Sequence, residues 1–378
     1  MNSDQARQLF ESGGILLVLD APKEMEFGID MHFWQIGSQF HGIKMIPPGV
    51  HFCYYSERDF LTKELSPRQG FFINIQQANQ MIVIMRWSPT QNLFQREHLT
   101  PDDYEVRRNQ RYDMDHLLGA YPLDTYRQWL SLSNHLRYDF LEKLLPSNGQ
   151  ICSANVYNPN EHKKTTHECT VPKNLTEAES RLPKMTADPQ FALRFTAIEK
   201  KSSDYSGSDL TQSKLDRTDE LERICLERFD SDIHGLLCEL QMSFIVFFLG
   251  HLYDGFEQWK SLFRFICSCK RAFRRWPNVY IDFLQTIYFQ LKYFSADSTT
   301  GEHFFVDIDQ QENYIYKSLE NLFVNLSTFN DNEQMEGSDT EKLLDRAEKM
   351  KKFLNETYKW TFDDEPDDEK PIIVELNE

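Results

Sequence analysis

The sequence predicts an α+β protein of two domains: an N-terminal antiparallel β-rich domain, sandwich-like or barrel-like, followed by a C-terminal all-α helical bundle. Three observations carry this reading. The first 90 residues hold short β-branched and aromatic runs bounded by Gly, Pro and polar breaks. From Thr218 onward the apolar residues recur at helical spacing. A length of 378 residues accommodates two domains, and 40% hydrophobic with 26% charged residues is enough to give each a core.

In chain order, Ile15–Asp20 (ILLVLD) is the first strand, set off by the Gly13-Gly14 break. Val50–Ser56 alternates Val50, Phe52 and Tyr54 against His51, Cys53 and Tyr55, after a rigid Pro47-Pro48-Gly49 turn. Gly70–Ile75 and Met81–Trp87 flank a short polar loop and read as a hairpin. A helical pattern runs from Pro101 to about Leu145, broken at Gly119–Pro122. Pro146–Arg181 has few large apolar residues and reads as a linker or surface loop. After a short apolar piece, Phe191–Phe195, the composition of Glu199–Lys214 predicts disorder.

Five helical stripes follow. The first is Ile233, Leu236, Leu237, Leu240, Phe244, Phe247 and Phe248, on a segment whose second half is apolar on every side, as in a central buried helix. Leu252, Phe256, Trp259, Phe263 and Ile266 form the second; Tyr280, Phe283, Leu284, Ile287 and Leu291 the third, after the first-turn Pro277. Ile315, Leu319, Leu322 and Leu326 form the fourth. Leu343, Ala347, Met350 and Leu354 form the fifth, opened by the capping-box pair Ser338 and Glu341. The expected division is a β-rich domain with accessory helices over 1–150, a linker and disordered loop over 151–217, a helical domain over 218–360, and an acidic flexible tail with a strand-forming end over 361–378.

Charge and cysteine usage narrow the function. With 41 Lys+Arg against 59 Asp+Glu the net charge is −18, which repels phosphate-rich partners on average. Seven cysteines without a C-x-x-C pair, and a polar N-terminus without an apolar run behind a basic start, read as a soluble intracellular chain with reduced thiols. His32, His41 and His51 are nine and ten residues apart with no H-x-H pair, so they read as isolated rather than as a metal site of a β-domain enzyme. Cys152, His162, His167 and Cys169 have irregular spacing for zinc. Cys267 and Cys269 point to different faces of a helix, and Cys225 and Cys238 read as core residues. Nucleophile-elbow, P-loop, dinucleotide-binding and zincin motifs are missing. The basic cluster Lys270–Trp276 could bind RNA, but reads first as a solvated helix end complementing the macrodipole, or as a patch for an acidic protein partner. The apolar end Ile372, Ile373, Val374, Glu375 and Leu376, behind the acidic stretch Asp363–Glu369, could add a strand to a partner's sheet or fold back on its own β-domain; the physics leaves both open.

Several segments together resemble the A1 cistron-splicing factor family. They are Pro22-Lys23 with Glu26–Asp30, Gly42–Phe52, Gly70-Phe71-Phe72, Arg86-Trp87, Glu239-Leu240-Gln241, Phe248-Leu249-Gly250, Phe256-Glu257 with Trp259-Lys260, Phe304–Ile308 and Val374-Glu375-Leu376. The matches run in order from about residue 9 to the end. The resemblance implies a β-rich domain followed by a helical one, and no catalysis. It implies an assembly chaperone of pre-mRNA splicing that binds the large scaffold protein of the U-five small nuclear ribonucleoprotein (snRNP) at its RNase H-like and MPN-like domains. There it would hold a cytoplasmic precursor and exclude the particle's RNA helicase until nuclear maturation. By the same likeness Ile372–Leu376 would be the strand that bridges those scaffold domains. Pro146–Arg181 and Lys270–Trp276 depart from the family pattern. Ser202, Ser203, Ser206 and Ser208 form a candidate phosphorylation segment, where added charge would alter docking. The expectation is a chain without cofactor or metal, monomeric outside the complex, contacting neither nucleic acid nor membrane directly, and present in both cytoplasm and nucleus.

Overall fold

The computed structural model describes residues 12–59, 61–76, 81–97, 100, 115–153, 189–198, 216–296, 314–332 and 338–362. They fall into two compact units, one within residues 1–129, 141–194 and 245–253, the other within 130–140, 195–244 and 254–378.

The first unit is built from β1 (Gly14–Leu19), β2 (Glu26–Ile29), β3 (His32–Gln35), β4 (Gly42–Ile46), β5 (Gly49–Ser56), β6 (Gln69–Ile75), β7 (Ile82–Ser88), β8 (Leu93–Glu97), β9 (Leu118–Ala120) and β10 (Ile151–Cys152). One sheet runs β8-β7-β1-β4-β9 and the other β10-β6-β5-β2-β3. Alternate residues of both sheets meet in a single core: Leu16 and Val18 of β1, Phe27 and Ile29 of β2, Cys53 and Tyr55 of β5, Phe71 and Ile73 of β6, Val83 and Met85 of β7. That is a sandwich, as the sequence predicts. The intervening residues Ile15, Leu17, Ile82, Ile84 and Leu118 form a second apolar cluster on the other face of the first sheet. Strands buried on both faces read as unbroken apolar runs rather than as alternation.

Two expectations are corrected here. Gly70–Ile75 and Met81–Trp87 are not a hairpin: β6 pairs with β5 and β10, whereas β7 pairs with β1 and β8. Continuous apolar runs carry no face information, so a short connector between them cannot reveal that the chain changes sheet. The first sheet is also not purely antiparallel, since β1–β7 and β4–β9 run parallel. The break at Gly119–Pro122 holds the short β9, the expected linker opens with β10, and residues 101–114 lie outside the described residues.

Gly42 makes the β1–β4 contact possible. Its φ is +145°, and a Cβ there would stand 2.0 Å from the Leu16 carbonyl oxygen, a backbone atom that cannot move aside.

Helices α1 (Tyr126–Ser133) and α2 (Tyr138–Leu144) precede β10. After it come α3 (Thr218–Phe229), α4 (His234–Phe248), α5 (Tyr253–Cys267), α6 (Ala272–Arg275), α7 (Pro277–Ala296), α8 (Tyr314–Asn332) and α9 (Ser338–Tyr358). Three of the predicted stripes fall on α7, α8 and α9, and the other two run along α4 and α5 from Ile233 and Leu252, the residue before each. Every member is buried except Leu252 and Phe248, which are half-buried. The Trp259 ring stacks between Phe256 and Phe263, with centroids 6.1 and 5.5 Å away, and its Nε1 donates to Gln290 Oε1 at 2.8 Å. Asn278, Gln285 and the Leu291 carbonyl meet Asp339, Arg346 and Tyr358 in turn, so α7 and α9 run parallel. Among the described residues no single helix is long and apolar enough to cross a membrane.

Gly42→Ala is expected to lower stability by about 3 kcal/mol, read as a lower urea midpoint at unchanged slope. Gly37→Ala, whose Cβ would meet nothing within 4 Å, should stay within about 0.5 kcal/mol of wild type.

Candidate functional site

The residues singled out for partner binding, Ile372, Ile373, Val374, Glu375 and Leu376, lie outside the described residues, as do Ser202, Ser203, Ser206, Ser208, His162, His167 and Cys169. The root of the tail is described. Helix α9 ends at Tyr358, and Lys359 takes a left-handed conformation with φ 60°, its amide donating to the Asn355 carbonyl at 3.0 Å. This turn drops Trp360 into a buried position stacked on Tyr358 (centroids 5.2 Å apart). The Tyr316 hydroxyl then donates to the Thr361 carbonyl at 2.8 Å, and the Phe362 ring packs on Tyr316 and Phe323 at 5.0 and 4.9 Å. Packing thus continues through Phe362. Sequence reasoning passed over Trp360 and Phe362 because two aromatics in an acidic, helix-terminating stretch show no periodicity.

In the β unit, the block Phe27–Phe52 that carries the family resemblance folds into a closed polar network. Asp30, fully buried, opens the two-residue turn between β2 and β3 with φ 53°. Its Oδ1 accepts the Phe52 amide at 2.9 Å, and its Oδ2 accepts His51 Nδ1 and the Tyr121 hydroxyl, each at 2.6 Å. His51 Nε2 donates to the Pro47 carbonyl at 2.8 Å, and the imidazole stacks at 6.3 Å from Trp129, whose Nε1 donates to the Val50 carbonyl at 3.0 Å. Burial, then the Asp30 carboxylate, push the Tyr121 hydroxyl pKa up, so it remains a donor. An Asp–His–Tyr triangle suggests acid–base chemistry, but every functional atom here is satisfied internally. Asp30 and His51 are almost wholly shielded from solvent. The cluster fixes the Pro47–Gly49 turn and the β2–β3 turn against each other.

The helical unit uses the Glu239-Leu240-Gln241 motif in a related way. Glu239, fully buried on α4, accepts the Thr196 amide at 2.7 Å, the Thr196 hydroxyl at 2.6 Å and Gln258 Nε2 at 2.8 Å. Gln241 Oε1 accepts the His135 amide at 2.8 Å, and its Nε2 donates to Asn134 Oδ1 at 2.7 Å. One helix thereby pins two irregular segments. Burial raises the Glu239 pKa above the usual carboxylate range, against the Thr196 and Gln258 hydrogen bonds and the more distant Arg228.

The Lys270–Trp276 cluster is not a free positive surface. Arg271 pairs with Asp216 and Asp219, Arg275 pairs with Glu222, and the Arg275 guanidinium lies over the Trp276 ring at 4.8 Å. Burial pushes the Cys225 and Cys238 thiols up to about 12 and raises those of Cys53, Cys267 and Cys269, the opposite of an activated nucleophile. Among the described residues no group of His, Cys, Asp or Glu could hold a metal ion.

Two family models match the chain. One described as the AAR2 N-terminal domain covers residues 12–146, and one described as the AAR2 C-terminal repeat region covers residues 195–363. Relatives named Protein AAR2 homolog are 33% identical in Mus musculus over 391 residues and 32% identical in Homo sapiens over 390, each covering all of this chain and 97% of the relative. The Caenorhabditis elegans relative is 29% identical over 372 residues, 94% of this chain and 96% of its own. The chain belongs to the AAR2 splicing factor family. This is the family that the Phe27–Phe52 block resembles, and the AAR2 N-terminal match contains the whole Asp30–His51–Tyr121 network. The AAR2 C-terminal match begins at Phe195, one residue before the threonine held by Glu239, and ends one residue after Phe362.

Two measurements check these assignments. Asp30→Ala strands three donors in the core and should cost about 4 kcal/mol in urea unfolding, whereas Tyr121→Phe should cost about 1 kcal/mol. For Glu239 the sign follows from its raised folded-state pKa: the carboxyl stabilises the fold below the unfolded-state pKa of about 4.3, and this contribution fades as pH rises through the folded value. Glu239→Gln should therefore gain relative to wild type between pH 4.5 and 7, read from urea midpoints at both pH values; an unchanged difference refutes the assignment.

Proposed function

We propose that this chain is a non-enzymatic pre-mRNA splicing factor that acts as an assembly chaperone of the U-five snRNP. In this reading it binds the RNase H-like and MPN-like domains of the particle's large scaffold protein and blocks premature binding of the particle's helicase. It works in both cytoplasm and nucleus, as a monomer outside the complex, without cofactor, metal, membrane or direct nucleic acid contact. The observation that carries the reading is membership of the AAR2 family along the full chain.

The physical chemistry supports binding as the mode of action. Nine residues, 363–371, separate Phe362 from Ile372, and a fully extended chain of that length reaches about 30 Å at ~3.3 Å per residue. They lead from the packed Phe362 to Ile372–Leu376, the β-forming segment whose main chain would pair with a sheet edge of the scaffold. Ordering such a segment on binding lowers net affinity per unit area, which suits a factor that must later be displaced. The RNA-binding reading has less support, because Arg271 and Arg275 are paired with acidic residues of the same unit.

Truncation after Phe362 should leave the melting temperature within about 2 °C of wild type yet weaken binding to a scaffold fragment containing both domains at least tenfold in a titration. Undiminished binding of the truncated chain overturns the role of the tail, and absence of binding by the full chain overturns the function.

A further inference from the structure

Among the described residues the two sheets of the β unit end in four edge strands, and three are protected in recognised ways. β10 and β9 are only two and three residues long, and β8 carries Arg96 and Glu97. β3 has no such device. Its residues, His32-Phe33-Trp34-Gln35, include no lysine, arginine, carboxylate or proline. Among the described residues its only strand partner is β2.

The outward hydrogen-bonding groups can be assigned. The Ile36 amide donates to the Met25 carbonyl at 2.9 Å, so Trp34 and His32 also turn their main-chain groups toward β2. By the alternation of an antiparallel ladder, Phe33 and Gln35 point theirs away from it. Phe33 also exposes 56% of its surface, an unusual fraction for a phenylalanine inside a strand. Beside this edge lies a half-open pocket of about 300 Å³ lined by Trp34, Ile36, Phe40 and Ile43. Unpaired main-chain groups next to an apolar pocket are the two elements of recognition by strand addition, the first giving affinity and the second specificity.

Charge selects the occupant. The chain carries −18, so a second copy approaches against repulsion. So does its own terminal segment 363–378, with eight acidic residues against one lysine. A partner segment flanked by lysine or arginine is attracted instead. We propose that the outer edge of β3 docks an extended segment of a partner protein, apolar at its centre and basic at its flanks, as an added strand with one apolar side chain in the Trp34–Phe40 pocket. This surface is separate from the tail and does not rest on the scaffold reading.

The test uses the full chain and two capped peptides, Lys-Thr-Val-Leu-Val-Thr-Lys and its counterpart with Glu at both ends. The lysine peptide should shift the backbone amide resonances of Phe33 and Gln35 saturably and slow their hydrogen exchange. The glutamate peptide and the chain's own 363–378 peptide should bind at least tenfold more weakly. Gln35→Pro, which removes an outward N–H, should reduce affinity at least tenfold at unchanged melting temperature. Should that variant fold poorly, two lysine peptides N-methylated on opposite sets of alternate residues decide on the wild-type chain: one loses binding and the other keeps it. Absence of a saturable shift at Phe33 and Gln35, equal binding of the glutamate peptide or the 363–378 peptide, equal loss with both methylated peptides, or a dimer in sedimentation that buries β3 overturns the proposal.

Discussion

A single buried carboxylate sets the geometry of the β unit. Asp30 sits in a left-handed conformation that ordinarily favours glycine, and its side chain meets the cost of that position by accepting three hydrogen bonds, two from the neighbouring strand β5 and one from Tyr121, which follows β9 of the other sheet. Through Phe52 it fixes the register of β2 against β5, through His51 the Pro47 carbonyl and the turn that starts β5, and through Tyr121 the segment that follows β9. Take away the carboxylate and three donors are stranded at once, each in a region where water cannot replace it. The rest of the core packs around positions that this network has already specified.

Glu239 repeats the device in the helical unit. It too is an acid shielded from solvent that catches a backbone amide and a hydroxyl, here of Thr196, at the point where residues 189–198 lead toward α3. Both carboxylates lie in segments by which the family is recognised, and both are structural. A residue pattern typical of the family can therefore mark a shared scaffold rather than a reaction centre. His51 beside Asp30 illustrates how a pair with the composition of a catalytic dyad can be wholly consumed in holding two turns together.

Much of this was legible in the amino-acid order. The five helical stripes fall where periodicity placed them, because burial of one helix face imposes a 3.6-residue repeat that survives in the sequence. The strands were legible as elements but not as partners: β6 and β7 are apolar on both faces, so nothing in GFFINI or MIVIMRW says which sheet each joins. The polar networks were illegible for a different reason. Asp30 and Tyr121 are 91 residues apart in the chain, and Glu239 and Thr196 are 43 apart, so their hydrogen bonds exist only once the fold has formed. The basic cluster at Lys270–Trp276 was visible, but its acidic neighbours on α3 and just before it belong to a separate stretch of sequence, and local composition overstated its free charge.

Anchoring of Trp360 and Phe362 against α8 and the end of α9 has a consequence for the strand role proposed for Ile372–Leu376. A segment nine residues beyond a fixed point explores a volume bounded by its tether, which gives it an effective local concentration on the order of millimolar for any site within reach. Rebinding after a brief detachment is then fast, while a competitor that invades from the free end can strip the strand stepwise without dislodging its base. In the proposed reading, the aromatic root would make the terminal segment a hinged strap: quick to close, and open to removal from one direction.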